Sequence, residues 1–363
     1  MNTDPSRILL IRPSALGDVC RTTPVLVSLR TRYPEAKIDW LVRDRFVDAV
    51  RGHPALTGVV PFPRDAMRRW LSPTGARSIA VFLRTLRQPR YDLVIDCQGL
   101  ARSAVFSLAT RAPRRLGDAR ASEFAWVGAN VRINTDPSAH VVDRALQIVA
   151  AAGAPPIADS RLYTPGDISL DETRLASASY AVLAPTSAWP GKCWPVERFA
   201  TLAQRLLGDS LVESVVFVGA PAERDQAYAA LDLCKDDQRI VDLVGATSVG
   251  QLMRLIENAA LVVANDSAAM HIAVGFDRPL VALLGPTDAP LAGPYHRPDA
   301  VAQVVTPADR LSHRACKDAA YGSTLMRRIS VDLALETASK QLQRSGADDA
   351  TTTPPTSTRI AIA

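Results

Sequence analysis

The segment Ser14-Ala15-Leu16-Gly17-Asp18 places a carboxylate directly after a short apolar run and directly before a helical one. An ionised Asp is favoured at the positive end of a helix, and at the mouth of a cleft it can accept a proton from a hydroxyl group. The ordinary alternative is a helix cap, a common place for Asp. Gly17 reads as a residue that permits a backbone conformation others resist. A second segment joins Thr186 and Ser187 to Gly191 and Lys192. Two hydroxyls, a flexible turn and an ammonium suit a phosphate group. The spacing is not the Gly-x-x-x-x-Gly-Lys-Ser/Thr of a P-loop, and a polar loop with an exposed lysine is the alternative. A third segment, Asn265-Asp266-Ser267-Ala268-Ala269-Met270-His271, lies where a strand gives way to a helix. Backbone N–H groups there can hold a pyrophosphate. Asp266 could bond a ribose hydroxyl or hold the helix start, and His271 could face the phosphates or serve the core. Glu223, at the start of a helix after Gly219-Ala220-Pro221, could bond a ribose or a base edge. Its alternative is a first-turn acid that the helix dipole favours. Gly285-Pro286-Thr287-Asp288 reads as a turn shaping the pocket floor.

These residues need elements to hold them, and the chain supplies an alternation of strands and helices. Arg7–Arg12, Lys37–Val42, Val59–Phe62 and Tyr91–Cys97 read as strands; Val19–Tyr33, Ile79–Arg87 and Gly99–Thr110 read as helices. The order predicts a parallel sheet with helices on both faces. Residues 155–178 carry prolines, a glycine and several acids, the composition of a linker. The alternation restarts with strands Tyr180–Ala184, Ser214–Gly219, Ile240–Leu243, Leu261–Ala264 and Pro279–Leu284, and helices Pro195–Leu207, Ala222–Cys234, Val249–Asn258 and Ser267–Val274. The expectation is an α/β chain of two Rossmann-like domains, 1–160 and 179–345, joined by a linker at 161–178. They would face across a cleft at the carboxyl ends of their strands. The Thr/Pro-rich residues 346–363 are expected to be a disordered tail.

Composition narrows the class. A chain of 363 residues, 47% hydrophobic and 22% charged, builds two ordinary cores. Ile8–Ile11 is cut short by Arg12, so no signal peptide is expected, and no run approaches the ~18 apolar residues of a membrane helix. A cytoplasmic location follows as the expectation. The five cysteines form no CxxC pair and read as unpaired thiols. No DxD pair or HExxH helix points to a metal, and no cofactor is expected. Residues 1–160 carry 23 Lys and Arg against 14 Asp and Glu, a net of +9, whereas the remainder is at −4. The basic half suggests an anionic partner. No helix-turn-helix, zinc-finger or RNP signature favours nucleic acid. The absence of Gly-x-Gly-x-x-Gly after Arg7–Arg12 speaks against a dehydrogenase.

The chain resembles the bacterial ADP-heptose–lipopolysaccharide heptosyltransferases, glycosyltransferase family 9, and heptosyltransferase I more than II. The resemblance runs from Arg7 to about Leu342. It is carried by ILLIRPSALGDV (8–19), VIDCQGLARSA (94–104), HVVDR (140–144), GKCWPVERFATL (191–202), VVFVGAPAERD (215–225), NDSAAMHIA (265–273) and RPLVALLGPTD (278–288). It implies the GT-B fold and an inverting transfer that needs no metal, from ADP-heptose to the Kdo-lipid A inner core, with Asp18 as base. Lys192 matches the family's phosphate-binding lysine, with Thr186 and Ser187 beside it. Glu223 and Asp266 match residues that hold the donor nucleoside. Ser267, Ala268 and His271 match the helix start at the diphosphate. Ser14, Gly17, Arg64, Arg68, Arg69 and Arg102 are the acceptor-side candidates, and the basic face they belong to suits peripheral contact with the anionic inner membrane. A monomer is expected. Ala268 stands where the family has Gly, and the loop from Ser187 to Lys192 is one residue longer than in the type I pattern. The Cys-rich C-terminal pattern of some relatives is reduced to Cys316. These departures leave open a transferase for another sugar or acceptor, or a nucleotide-sugar-binding protein without catalysis.

Overall fold

The computed structural model describes residues 4–65, 72–170 and 179–351. Two parallel six-stranded sheets organise them. The first contains β1 (Arg7–Ile11), β2 (Lys37–Arg43), β3 (Gly58–Phe62), β4 (Leu93–Asp96), β5 (Arg114–Asp118) and β6 (Val131–Ile133), in the order β3-β2-β1-β4-β5-β6. The second contains β7 (Tyr180–Ala184), β8 (Ser214–Gly219), β9 (Ile240–Val244), β10 (Leu261–Asn265), β11 (Leu280–Leu283) and β12 (Val301–Ala302), in the order β12-β11-β10-β7-β8-β9. Both follow the doubly wound Rossmann order, and together they make the GT-B architecture. In such a sheet the order reverses beside the first strand, and the loops there open a crevice for ligands. Here the two reversal points are β1/β4 and β7/β10. The chain leaving those four strands brings up Asp18, in the first turn of α1, and the loop residues Gln98, Thr186 and Asp266.

Helices α1 (Leu16–Cys20), α2 (Thr23–Arg32), α3 (Pro73–Thr85), α4 (Ala101–Thr110) and α5 (Val141–Ala150) cover the first sheet. Helices α6 (Val196–Gly208), α7 (Arg224–Cys234), α8 (Val249–Glu257), α9 (Ala268–Gly275), α10 (Ala289–Ala292), α11 (His313–Lys317), α12 (Ala319–Met326) and α13 (Val331–Thr351) accompany the second. Strands buried on both faces read as continuous apolar runs, and Ile8–Ile11 and Val215–Phe217 are fully buried. One apolar cluster draws side chains from both halves, among them Leu10, Phe46, Val182, Met253 and Met270. Burying this surface stabilises each half and their seam at about 25 cal/mol per Å².

The helix expected over Val19–Tyr33 is broken in two. Pro24 has no N–H to continue the ladder, so α1 stops at Cys20 and α2 restarts with proline in its first turn. Helix α13 extends to Thr351, into the stretch expected to be a disordered tail; no proline interrupts the sequence until Pro354. The segment from Ser312 to Ile329 turns back over the start of α6. Gly322 packs so closely on Gly191 that a Cβ there would stand 2.3 Å from the Gly191 carbonyl oxygen. The Trp194 indole N–H donates to the Ile329 carbonyl at 2.8 Å. Among the described residues no helix is long and apolar enough to cross a membrane.

Candidate active site

Asp18 stands on α1 with three donors on its carboxylate. Arg12 reaches Oδ2 at 2.9 Å, the Ala15 N–H reaches the same oxygen at 3.2 Å, and Arg21 holds Oδ1. Burial pushes the carboxyl's pKa up, but Arg12, Arg21 and the Ala15 amide outweigh it and hold it far below the usual carboxylate range. Arg12 is placed by β1 and also donates to the Cys97 carbonyl at the end of β4. Asp18 is therefore an ionised acceptor fixed between two guanidinium groups, with a quarter of its side chain open to solvent.

Gly17 adopts no left-handed backbone, so its expected role as a conformational exception is corrected. It is needed for a close approach: a Cβ would lie 2.6 Å from His271 Cδ2 and 3.4 Å from Ala268 Cα. Helices α1 and α9 thus meet at a glycine, and this contact brings the two halves together. His271 packs into that seam. Burial first, then Arg21, push its pKa down against the pull of Asp266 and Asp18, so the ring is neutral between two carboxylates. Ala268 takes the first position of α9. Ser267 caps the helix without a side-chain cap bond, leaving the first N–H groups of α9 to another acceptor.

On the other side of the seam, Lys192 Nζ and Thr287 Oγ1 each lie 2.6 Å from Asp266 Oδ2. Burial raises the Asp266 pKa, yet Lys192 leads a larger opposing effect, with the Thr287 hydroxyl beside it, and the carboxylate stays ionised. Ser187 Oγ donates weakly to the Asp266 carbonyl at 3.5 Å. Thr186 Oγ1 donates to Glu223 Oε2 at 2.7 Å, which places Glu223 across the β7 and β8 ends from Lys192. Asn265, fully buried, ties these loops by accepting from the Trp194 N–H at 3.1 Å and donating to the Pro185 carbonyl at 2.7 Å. The Trp189 ring lies between two ammonium groups, Lys192 at 5.6 Å and Lys317 at 5.3 Å.

A cavity of about 200 Å³ opens beside Asp18, lined by Arg12, Arg21, Gln98, Ser122, Arg120 and Arg144, among others. Ser14 closes one edge through its N–H to Gln98 Oε1 at 3.2 Å. Arg64 and Arg102 do not line this cavity. Arg102 lies over the Phe62 ring at 5.5 Å, and burial first, then the neighbouring Arg64, push its pKa down. Arg68 and Arg69 lie outside the described residues. The cavity arginines, with Thr287, Trp189 and Lys317, are site residues that the sequence reading missed. The Gly-Pro-Thr-Asp turn pointed to Thr287, and the segments 8–19 and 140–144 that carry the resemblance contain Arg12 and Arg144, which were given no role there. Among the described residues no cluster of three or more His, Cys, Asp or Glu is placed to hold a metal ion.

An ionised carboxylate on one Rossmann-like half and a lysine beside a helix start on the other, set face to face across a seam, fit a two-domain glycosyltransferase. Residues 79–321 match glycosyltransferase family 9 (heptosyltransferase), and the chain belongs to that family. It is 30% identical over 302 residues to lipopolysaccharide heptosyltransferase 1 of Escherichia coli, covering 80% of this chain and 91% of that one. The Pseudomonas aeruginosa protein of the same name is 30% identical, covering 80% and 82%. The structure of E. coli heptosyltransferase WaaC with ADP-2-deoxy-2-fluoro heptose superposes with a TM-score of 0.69 at 25% identity, over 94% of this chain and 99% of that one. Membership settles enzyme against binding protein: the chain is a glycosyltransferase.

Proposed function

We propose that the protein transfers heptose from ADP-heptose to the Kdo-lipid A inner core of lipopolysaccharide, inverting the anomeric carbon without a metal. The observation that carries this is the convergence of Asp18 and the Lys192–Asp266 pair on opposite sides of His271, at the α1–α9 seam. The named relatives supply the sugar and the pathway. The C-terminal half (179–345) takes the donor, and the N-terminal half (1–160) takes the acceptor.

In this reading the diphosphate lies on the open N–H groups of α9, against Lys192 and the Thr186 and Ser187 hydroxyls. Glu223 and Asp266 hold hydroxyl groups of the donor, and His271, kept neutral, spaces the two carboxylates. The acceptor hydroxyl approaches Asp18 from the arginine-lined cavity. A carboxylate gripped by two guanidinium groups is a poor base, since the best catalytic pKa lies near the working pH. The anionic groups of the acceptor relieve this by pairing with Arg12 and Arg21, with Arg120 and Arg144 behind them. Asp18 then takes the hydroxyl proton as the oxygen attacks, and Lys192 and the helix start stabilise the departing ADP. Arg64, outside this cavity, is kept as an acceptor-side candidate. The enzyme works in the cytoplasm, at the membrane face where a lipid-linked acceptor lies.

The test is ADP release from ADP-heptose with Kdo-lipid A in EDTA, comparing wild type with Asp18→Asn. The variant should lose roughly 100- to 10,000-fold in kcat while donor affinity persists. A variant as active as wild type would remove Asp18 from the chemistry. A wild type that binds ADP-heptose yet turns over only with another acceptor would reassign the acceptor.

A further inference from the structure

Five large apolar side chains stay exposed on one outer face of the first half: Val81 on α3, Val105 and Leu108 on α4, and Phe124 and Val127 in the turn after β5. The three elements adjoin. The Phe82 and Phe106 rings beneath α3 and α4 pack at 5.3 Å. Gly128 lies so close to α4 that a Cβ would stand 2.6 Å from Ala104 Cα, and Ser107 Oγ donates to its carbonyl at 2.9 Å. Phe124 is 77% exposed, and both it and Glu123 sit in the left-handed region, at φ 58° and 53°. Residues other than glycine adopt that conformation uncommonly. Here the fold spends it on presenting a phenyl ring to the outside.

Arginines stand on the elements of this patch or next to them: Arg77 and Arg84 on α3, Arg111 just after α4 and Arg132 on β6. Residues 72–132 hold ten arginines, no lysine and four carboxylates. Asp92 is engaged by Ser6, and Asp96 is buried on Ser103. Asp118 pairs with Arg144, outside the stretch, and Glu123 accepts from the Ala101 N–H. Among the described residues none of the ten arginines is in an ion pair. In the second half Arg205, Arg224, Arg239, Arg254, Arg297 and Arg328 all have carboxylate partners.

We propose that this face docks on an anionic phospholipid bilayer. Phe124, Val127, Val105 and Leu108 enter the boundary between headgroups and acyl chains, while Arg77, Arg84, Arg111 and Arg132 pair with lipid phosphates. Apolar side chains ringed by cations suit an interfacial surface. A nucleic acid would answer the arginines and leave the valines and leucine in water. A second copy, related by a two-fold axis, would set one arginine ring against another. Taking a bilayer as the partner rests on the proposed lipid-linked acceptor; the patch itself does not.

The experiment is co-sedimentation with vesicles of phosphatidylcholine alone or mixed with phosphatidylglycerol, together with turnover on vesicle-embedded acceptor and on a deacylated, water-soluble acceptor. Wild type should bind the anionic vesicles only, and lose binding as salt rises. Leu108→Gln with Phe124→Gln, and separately Arg77→Gln, Arg84→Gln and Arg111→Gln together, should each weaken partitioning about tenfold or more. They should slow turnover on the embedded acceptor and leave it unchanged on the soluble one. These side chains are exposed, and an unaltered far-UV circular dichroism spectrum confirms folding. Wild type that ignores anionic vesicles overturns the proposal, as do variants that bind like wild type. So does a concentration-dependent dimer lost in the Leu108/Phe124 variant, or an oligonucleotide that outcompetes the vesicles. The vesicle arm needs no transfer reaction, so it stands even where the assigned sugar or acceptor fails.

Discussion

One oxygen of Asp266 accepts from both Lys192 and Thr287. The hydroxyl fixes the carboxylate that in turn aims the ammonium. Thr287→Val keeps the shape and removes the donor, at a cost of about 1 kcal/mol, so donor KM should rise roughly fivefold with kcat little changed. Initial rates against ADP-heptose concentration check this, and an unaltered KM would make Thr287 a bystander. Lys317→Ala should raise donor KM in the same assay, because Lys192 is already compensated by Asp266 and Lys317 has no ion-pair partner among the described residues. Of this constellation, Lys192 and Asp266 were legible in the sequence because each lies in a polar turn between a strand and a helix. Thr287 was legible only as part of a turn. Lys317 and Trp189 meet through folding across 128 positions, and no local pattern announces such a meeting. Of the cavity arginines, Arg12 and Arg144 stood in segments that carry the resemblance without being given a role, whereas Arg21 and Arg120 were hidden among many others in a basic half.

The elements were easier to read where burial writes itself into composition. Strands β1, β7, β8 and β10 are runs of β-branched and aliphatic residues, and their expected spans agree with the structure to within a residue. Strand β5 is Arg-Arg-Leu-Gly-Asp, with neither alternation nor an apolar run, and β6 is Val-Arg-Ile, which alternates but over only three residues; pairing beside β4 makes them strands. The contact of α1 with α9 was illegible as well. Gly17 suggested an unusual backbone, whereas its hydrogen makes room for a histidine 254 positions away. Gly17→Ala should therefore push the halves apart. Overpacking of this kind costs about 1–3 kcal/mol, and turnover should fall by more than tenfold because Asp18 moves from the donor. His271→Ser in the same chain relieves the clash, so the double variant should unfold at higher urea than additivity allows. Strict additivity would show that the ring does not meet the methyl group.

At the scale of the whole molecule, three buried or part-buried histidines govern the response to acid. Burial pushes His53 down to about 4, with Asp159 pulling it up and Arg161 down; burial also leads the lowering at His140 and His271. An unfolded histidine titrates near pH 6.5, so the unfolded chain binds these protons first. Their stabilisation is complete above about pH 6.5 and is lost as pH falls toward 4, with His53 alone worth up to roughly 3 kcal/mol. Urea midpoints should decline through that window, and His53→Gln should flatten the decline; a midpoint constant from pH 7 to 4.5 would contradict this. The backfold of residues 312–329 onto the Gly191–Trp194 loop has a consequence for how the enzyme is made. A nascent chain grows from its N-terminus, so the first half can fold while the second still lacks the segment that packs on the Gly191–Trp194 loop. A chain that stops before Gly322 leaves the Gly191–Trp194 loop without the segment that packs on it.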